Sequence, residues 1–113
     1  MSFDSQIVIP PSFIALFVPE GKTRPEQPRE VIAQRYDLCE DMAQMLIETA
    51  REKHFAIGVE EADVLDRIRS GLIADASLVS ESEAQWIVRR LAELLGWPPL
   101  DPESTPGSTQ GRR

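Results

Sequence analysis

The sequence has few of the side chains that bind metals or form disulfide frameworks. Its 113 residues include one cysteine and one histidine. A single cysteine, Cys39, cannot form an internal disulfide, so the chain lacks the cross-links that stabilise many small secreted domains. Cys39 and His54 also provide too few nitrogen and sulfur ligands for a structural zinc site. We therefore expect no metal and no cofactor.

Long apolar runs are missing as well. A membrane-spanning helix needs about 20 consecutive apolar residues, and no stretch of this chain approaches that length. Residues 1–21 have no N-terminal basic cluster, they contain Asp4, and two prolines interrupt their apolar part. These features are not typical of a signal peptide. We predict no membrane span and a cytoplasmic location.

Basic residues are outnumbered by acidic ones. The chain has 12 Lys and Arg against 19 Asp and Glu, giving a formal net charge of −7. Because an acidic body repels phosphate backbones, this balance disfavours nucleic-acid binding. Four arginines still allow a nucleic-acid-binding regulator as the alternative function. They are Arg67, Arg69, Arg89 and Arg90.

The strongest pattern in the sequence is one long amphipathic helix over residues 28–56. Apolar side chains recur at spacings of three and four residues from Ile32 to Ala50, which places them on a single face. Pro28 suits the first helical turn and Gly58 suits the end. The first helix therefore has a wide apolar face.

Two shorter helices follow. The second is predicted over about residues 60–70, and the sequence leaves residues 71–79 open between helix and loop. The third begins after Ser80, which forms a capping-box pattern with Glu83, and it ends at Gly96 before two prolines. We predict an all-α fold, with a small three-helix domain over residues 28–97.

Both ends of the chain differ from this domain. Residues 1–27 form an apolar arm and a hinge bracketed by prolines, in which "SFIALFV" fits either one strand or a short helical segment. The arm could dock on its own helices or on a partner, and a thin core favours its own helices. Residues 98–113 are almost free of apolar side chains, so we predict a disordered tail.

The tripeptide Gly21-Lys22-Thr23 matches the end of a phosphate-binding loop. Such a loop also needs a glycine five positions before Gly21, where this chain has Leu16, and it must open directly into a helix. Pro25 and Pro28 prevent a helix from starting at Lys22. We therefore predict no nucleotide site.

Three stretches, "IPPSFIALFVPEGKTRP", "RYDLCEDMA" and "SEAQWIVRRLAELLGW", resemble a group of short uncharacterised proteobacterial proteins. The resemblance covers residues 7–97, and some of those proteins carry the label "ATPase with chaperone activity". It implies a chaperone-associated, nucleotide-dependent component as a third function. It transfers no functional residues, and the departure from the phosphate-loop pattern conflicts with that label.

The sequence contains no serine-nucleophile motif and no histidine close in sequence to activate one, so we predict that the protein is not an enzyme. The leading hypothesis is a small helical protein-interaction module. It would act as an accessory or regulatory subunit and would self-associate as a homodimer or join a protein partner. For Trp86, the core and interface interpretations both stay open. The predicted interface residues are Phe13, Ile14, Phe17, Leu38, Met42, Met45, Trp86, Arg89 and Arg90.

Overall fold

The computed structural model describes residues 8–58, 60–75 and 77–100. Within these ranges the chain forms helices joined by turns, with no β-strand, and the all-α prediction is confirmed. Residues 101–113, most of the predicted disordered tail, lie outside the described ranges. The helices are α1 (Pro11–Ile14), followed by a 3₁₀ turn (Ala15–Phe17), then α2 (Arg29–Ile57), α3 (Glu61–Ala74) and α4 (Glu81–Leu95).

The ends of the long helices follow from local sequence. The Ser80 hydroxyl accepts from the Glu83 N–H over 3.1 Å, and the Glu83 carboxylate accepts from the Ser80 N–H over 2.9 Å. This confirms the predicted capping box of α4. Gly58 and Gly96 end α2 and α4 with positive φ angles of 78° and 74°, a conformation that glycine adopts without steric cost.

Helix α3 extends further than the sequence predicts. It was expected to end near residue 70, but it continues through Gly71 to Ala74. Leu72 and Ile73 pack against the core, and this burial offsets the weak helix propensity of Gly71. Of residues 71–79, for which the sequence leaves helix and loop open, those up to Ala74 belong to α3.

The core consists of two clusters, and α2 and α4 contribute to both. The cluster near the arm contains Phe13, Cys39 and Ile87, and the cluster near α3 contains Leu65 and Leu91. Helix α4 thus lies centrally, with α2 and α3 packed against it.

The described part of the apolar arm is helical from Pro11 to Phe17 and docks on its own chain. Phe13 is fully buried, and its ring centroid lies 5.0 Å from that of Trp86 and 5.6 Å from that of Tyr36. Burying a large apolar side chain contributes about 1.5–3 kcal/mol, which explains why the arm covers the thin bundle. Of the two alternatives left open for "SFIALFV", the structure shows the helical one.

The hinge between the arm and α2 is exposed from residue 20 to residue 30. In this hinge, the Lys22 N–H donates to the Pro19 carbonyl over 3.0 Å, and Gly21 adopts a φ of 82°. Helix α2 begins only at Arg29. The Gly21-Lys22-Thr23 tripeptide is therefore part of a surface turn that does not open into a helix.

The packed part of the chain continues past α4. The Trp97 N–H donates to the Ala92 carbonyl over 2.9 Å, and the Trp97 ring centroid lies 5.1 Å from that of His54. Leu100 packs against the cluster near α3, three positions beyond the predicted domain boundary at residue 97. Among the helices in the described part of the chain, none is both long enough and apolar enough to cross a bilayer.

Candidate functional site

A buried ion pair fixes the start of α4 against α2. The Arg35 guanidinium donates to both carboxylate oxygens of Glu83, over 2.8 Å and 2.6 Å, and to the Leu78 carbonyl over 3.1 Å. Glu83 is only 4% exposed. Because the carboxylate also caps α4 through Ser80, one side chain links the helix start to the neighbouring helix.

Opposing effects act on the pKa of Glu83. Burial alone raises it, but the hydrogen bonds from Arg35 and from the Ser80 N–H outweigh burial and hold the pKa below the usual range for a glutamate. Glu83 is therefore an ionised structural group.

A second ion pair joins the middle of α4 to α2. The Arg90 guanidinium donates to the two Glu40 carboxylate oxygens over 2.9 Å and 3.1 Å, and to Glu93 over 3.1 Å. The hydrogen bond from Arg90 lowers the pKa of Glu40. Arg90, a predicted interface residue, thus links two helices of its own chain.

Trp86 belongs to the core and also orients the arm. It is 7% exposed, and its ring centroid lies 5.0 Å from that of Phe13 and 5.8 Å from that of Tyr36. Its indole N–H donates to the Ser12 hydroxyl over 3.0 Å. Of the two interpretations left open for Trp86, the structure shows the core one, since most of the side chain packs inside its own domain.

An open groove runs beside Trp86, and we call it the Trp86 groove. It has a volume of about 470 Å³, and it lies between the arm, the outer side of α4, α3 and the chain past α4. The buried residues Trp86 and Val88 of α4 line it. Its other lining residues include Leu16, Arg69, Gln85, Arg89 and Leu100.

The charge of the Trp86 groove is opposite to that of the whole protein. Arg69 and Arg89 are the charged residues among the described groove-lining positions, in a chain of net charge −7. Arg69 is partly compensated, because its guanidinium donates to Asp66 over 2.6 Å. Arg89 is exposed and makes no ion pair with any described residue. The groove therefore presents positive charge beside apolar side chains.

The cysteine and the histidine have structural surroundings. Cys39 is fully buried, and burial, with Glu83 adding to it, raises the pKa of its thiol to about 12. At neutral pH Cys39 is thus a thiol enclosed by apolar atoms. The His54 ring packs on Trp97 at the end of α2. The described residues contain no group of His, Cys, Asp or Glu side chains arranged to hold a metal ion.

The structure brings together only some of the predicted interface residues. Three of them are buried in the core of their own chain: Phe13, Met42 and Trp86. Met42 belongs to a buried cluster that α2 and α4 form together, so its side chain has little exposed surface for a partner. Half-buried positions are Ile14, Phe17, Leu38 and Arg90, and exposed positions are Met45 and Arg89.

Several groove residues were not singled out as interface residues from the sequence. Leu16 was assigned only to the apolar arm, and Leu100 fell in the predicted tail. Gln85 has no distinguishing local pattern. Arg69 was noted only as part of a possible basic strip. These residues come together because the arm and the chain past α4 both pack back beside α4, and no local spacing indicates that contact.

Comparisons with protein-family models, with curated proteins and with solved structures found no match to this chain. The geometry of the Trp86 groove is therefore the basis for the functional argument.

Proposed function

We propose that this chain is a small helical protein-interaction module that acts in the cytoplasm as an accessory or regulatory subunit. The observation that supports this function is the Trp86 groove, an open groove lined by apolar side chains and by the exposed Arg89. Tryptophan and arginine are among the residues that contribute most to protein-binding energy, and both line this groove. The bound partner would be a segment of another protein chain.

The rigidity of the groove supports this proposal. The two ion pairs, Arg35 with Glu83 and Arg90 with Glu40, hold α4 against α2. The hydrogen bond between Trp86 and Ser12 holds the arm that forms one wall. A wall that is already ordered reduces the entropy that binding must remove.

The alternative function, a nucleic-acid-binding regulator, has less support. Each contact with a phosphate uses one basic side chain of the protein, and strong nucleic-acid binding needs several such contacts. The Trp86 groove has two arginines, Arg69 and Arg89, and Asp66 already pairs with the first of them. A peptide segment suits this charge and shape better than a phosphate backbone.

Self-association is a separate part of the proposal. It rests on the side of α2 that carries Leu38 and Met45, where Met45 is 71% exposed. Because Met42 is buried, this surface is narrower than the sequence predicts. We propose that it forms the contact between two copies of the chain.

The experiment compares affinity purifications of the tagged full chain from its native cell. One variant is Arg89→Glu, and the matched control is Arg51→Glu, which makes the same charge change at another exposed arginine on a helix. We expect a co-purifying protein with the wild-type chain and with Arg51→Glu, and its loss with Arg89→Glu. Identical co-purifying proteins with all three chains, with circular dichroism confirming the fold, would refute the groove as the binding surface.

A further inference from the structure

The chemistry of the partner follows from the charged and apolar residues of the Trp86 groove. We infer that the groove takes an acidic segment of a partner protein, in which a carboxylate pairs with Arg89 and a neighbouring bulky apolar side chain packs against Leu16 and Leu100. This inference rests on the proposed function, and it adds the class of peptide that the module recognises.

Charge complementarity is the first argument. The chain has 19 acidic and 12 basic residues, so an average surface region carries negative charge. The Trp86 groove does not, because Arg69 and Arg89 are its charged residues within the described part of the chain. Two further depressions share residues with it, and each holds one acidic residue beside arginine: Glu81 with Arg69, and Glu93 with Arg89 and Arg90. An acidic side chain of a partner is therefore favoured in the Trp86 groove.

Arg89 itself is the second argument. Three other arginines near α4 have carboxylate partners: Arg35 bonds Glu83 at 2.6 Å, Arg90 bonds Glu40 at 2.9 Å, and Arg69 bonds Asp66 at 2.6 Å. The described residues provide no such partner for Arg89, which stays exposed. The planar guanidinium fork matches a carboxylate with two parallel hydrogen bonds. A carboxylate from outside the described chain completes the pattern.

The apolar wall is the third argument. Leu16 and Leu100 are half-buried, and they extend the apolar surface that Val88 and the edge of Trp86 begin. The packing of these residues against the domain fixes the wall in the absence of a partner. A leucine, isoleucine or phenylalanine side chain next to the carboxylate would cover this surface and exclude water from the Arg89 ion pair, which strengthens the pair.

Another acidic segment competes with an external partner for the same groove. Asp101 and Glu103 follow Leu100 directly in the sequence, and Leu100 lines the groove. The test must therefore distinguish a partner segment from the chain's own C-terminal residues.

The probe is a phage-displayed library of random dodecapeptides, selected against the full chain. We expect enriched peptides to carry Asp or Glu next to a large apolar residue. Fluorescence polarisation would then compare each enriched peptide with its Asp→Asn or Glu→Gln form. We expect at least about tenfold weaker binding for the amide form and for the Arg89→Glu chain, and less than about twofold change for Arg51→Glu.

Three results would overturn the inference, and each points to a different error. Enriched peptides that lack acidic residues but still depend on Arg89 would leave the protein-interaction function in place and refute the partner chemistry. A single-stranded oligonucleotide that binds in an Arg89-dependent way more tightly than any peptide would replace the partner class. The third result concerns the chain's own acids. If combined Asp101→Asn and Glu103→Gln changes shift the NMR resonance of the Arg89 side-chain N–H, the C-terminal residues already occupy the groove.

Discussion

The Trp86 indole N–H donates to the Ser12 hydroxyl over 3.0 Å, joining residues that are 74 positions apart in the sequence. On the same side, the Phe13 ring meets the Trp86 ring nearly edge to face, with an interplanar angle of 81°. These two contacts dock the arm on α4 and place Leu16 beside the Trp86 groove. The arm is therefore both a cover for the core and a wall of the candidate binding site.

The first prediction concerns the contribution of the arm to stability. Because Phe13 is fully buried between Tyr36 and Trp86, Phe13→Ala should lower the free energy of unfolding by about 3–5 kcal/mol. Urea denaturation followed by circular dichroism measures the change. The matched control is Phe55→Ala, because Phe55 is 91% exposed and its loss should cost less than about 0.5 kcal/mol. Equal losses of stability at the two positions would contradict the docking of the arm on its own chain.

The second prediction concerns pH. Burial raises the pKa of Glu83, but the hydrogen bonds from Arg35 and Ser80 lower it by more than burial raises it. The folded-state pKa therefore lies below the unfolded value. The ionised carboxylate therefore stabilises the fold above pH about 4.3, and this contribution is lost as the pH falls through the folded-state pKa. Glu83→Gln should cost about 1–3 kcal/mol at pH 7.

The control for this pH dependence is Glu81→Gln, an exposed glutamate in the same first turn of α4. Because Glu81 contributes only through its charge near the helix N-terminus, its replacement should cost less than about 1 kcal/mol at pH 7. The difference between wild type and Glu83→Gln should shrink as the pH is lowered toward about 3 in thermal melts. A difference that stays constant over that range would show that the ion pair with Arg35 is not its source.

The third prediction concerns nucleotides. Lys22 lies in an exposed turn whose N–H donates to Pro19, and α2 begins only at Arg29. No helix N-terminus thus lies next to the tripeptide to hold a phosphate. We expect no saturable heat of ATP or GTP binding in calorimetry, with or without Mg²⁺. Saturable binding that Lys22→Ala abolishes would restore the chaperone-associated, nucleotide-dependent alternative.

The fourth prediction concerns self-association through α2. Met45 is 71% exposed, and a charge at this position would be desolvated in a dimer contact but not in a monomer. Met45→Glu should shift the chain toward monomer in sedimentation equilibrium while its helix content stays unchanged. Ala62→Glu, which adds the same charge at an exposed position of α3, should leave the association constant within about twofold. A wild-type chain that is monomeric at every concentration would refute the homodimer.

The candidate site was only partly predictable from the sequence. Arg89 was predicted as an interface residue, and it is exposed at the groove. Trp86 could not be assigned to core or interface, because its position on α4 lies off the main apolar stripe, and it packs against Phe13 of the docked arm and Tyr36 of α2. The sequence places Leu100 in the tail, because neither the two preceding prolines, Pro98 and Pro99, nor the mostly polar residues that follow indicate a packed side chain. The groove is formed by segments that are distant in the sequence but adjacent in the fold.

The sequence alone determined where α4 begins and where α2 and α4 end. The Ser80–Glu83 capping box and the glycines at 58 and 96 act through backbone groups a few residues away, so their effect is present in the local sequence. Only the tertiary structure decided that the arm docks on its own chain, that Arg90 pairs with Glu40 fifty positions away, and that Leu16, Arg89 and Leu100 share one groove. These contacts depend on how whole helices pack. The packing of the core sets the distance between the side chains that each contact joins, and their spacing in the sequence does not.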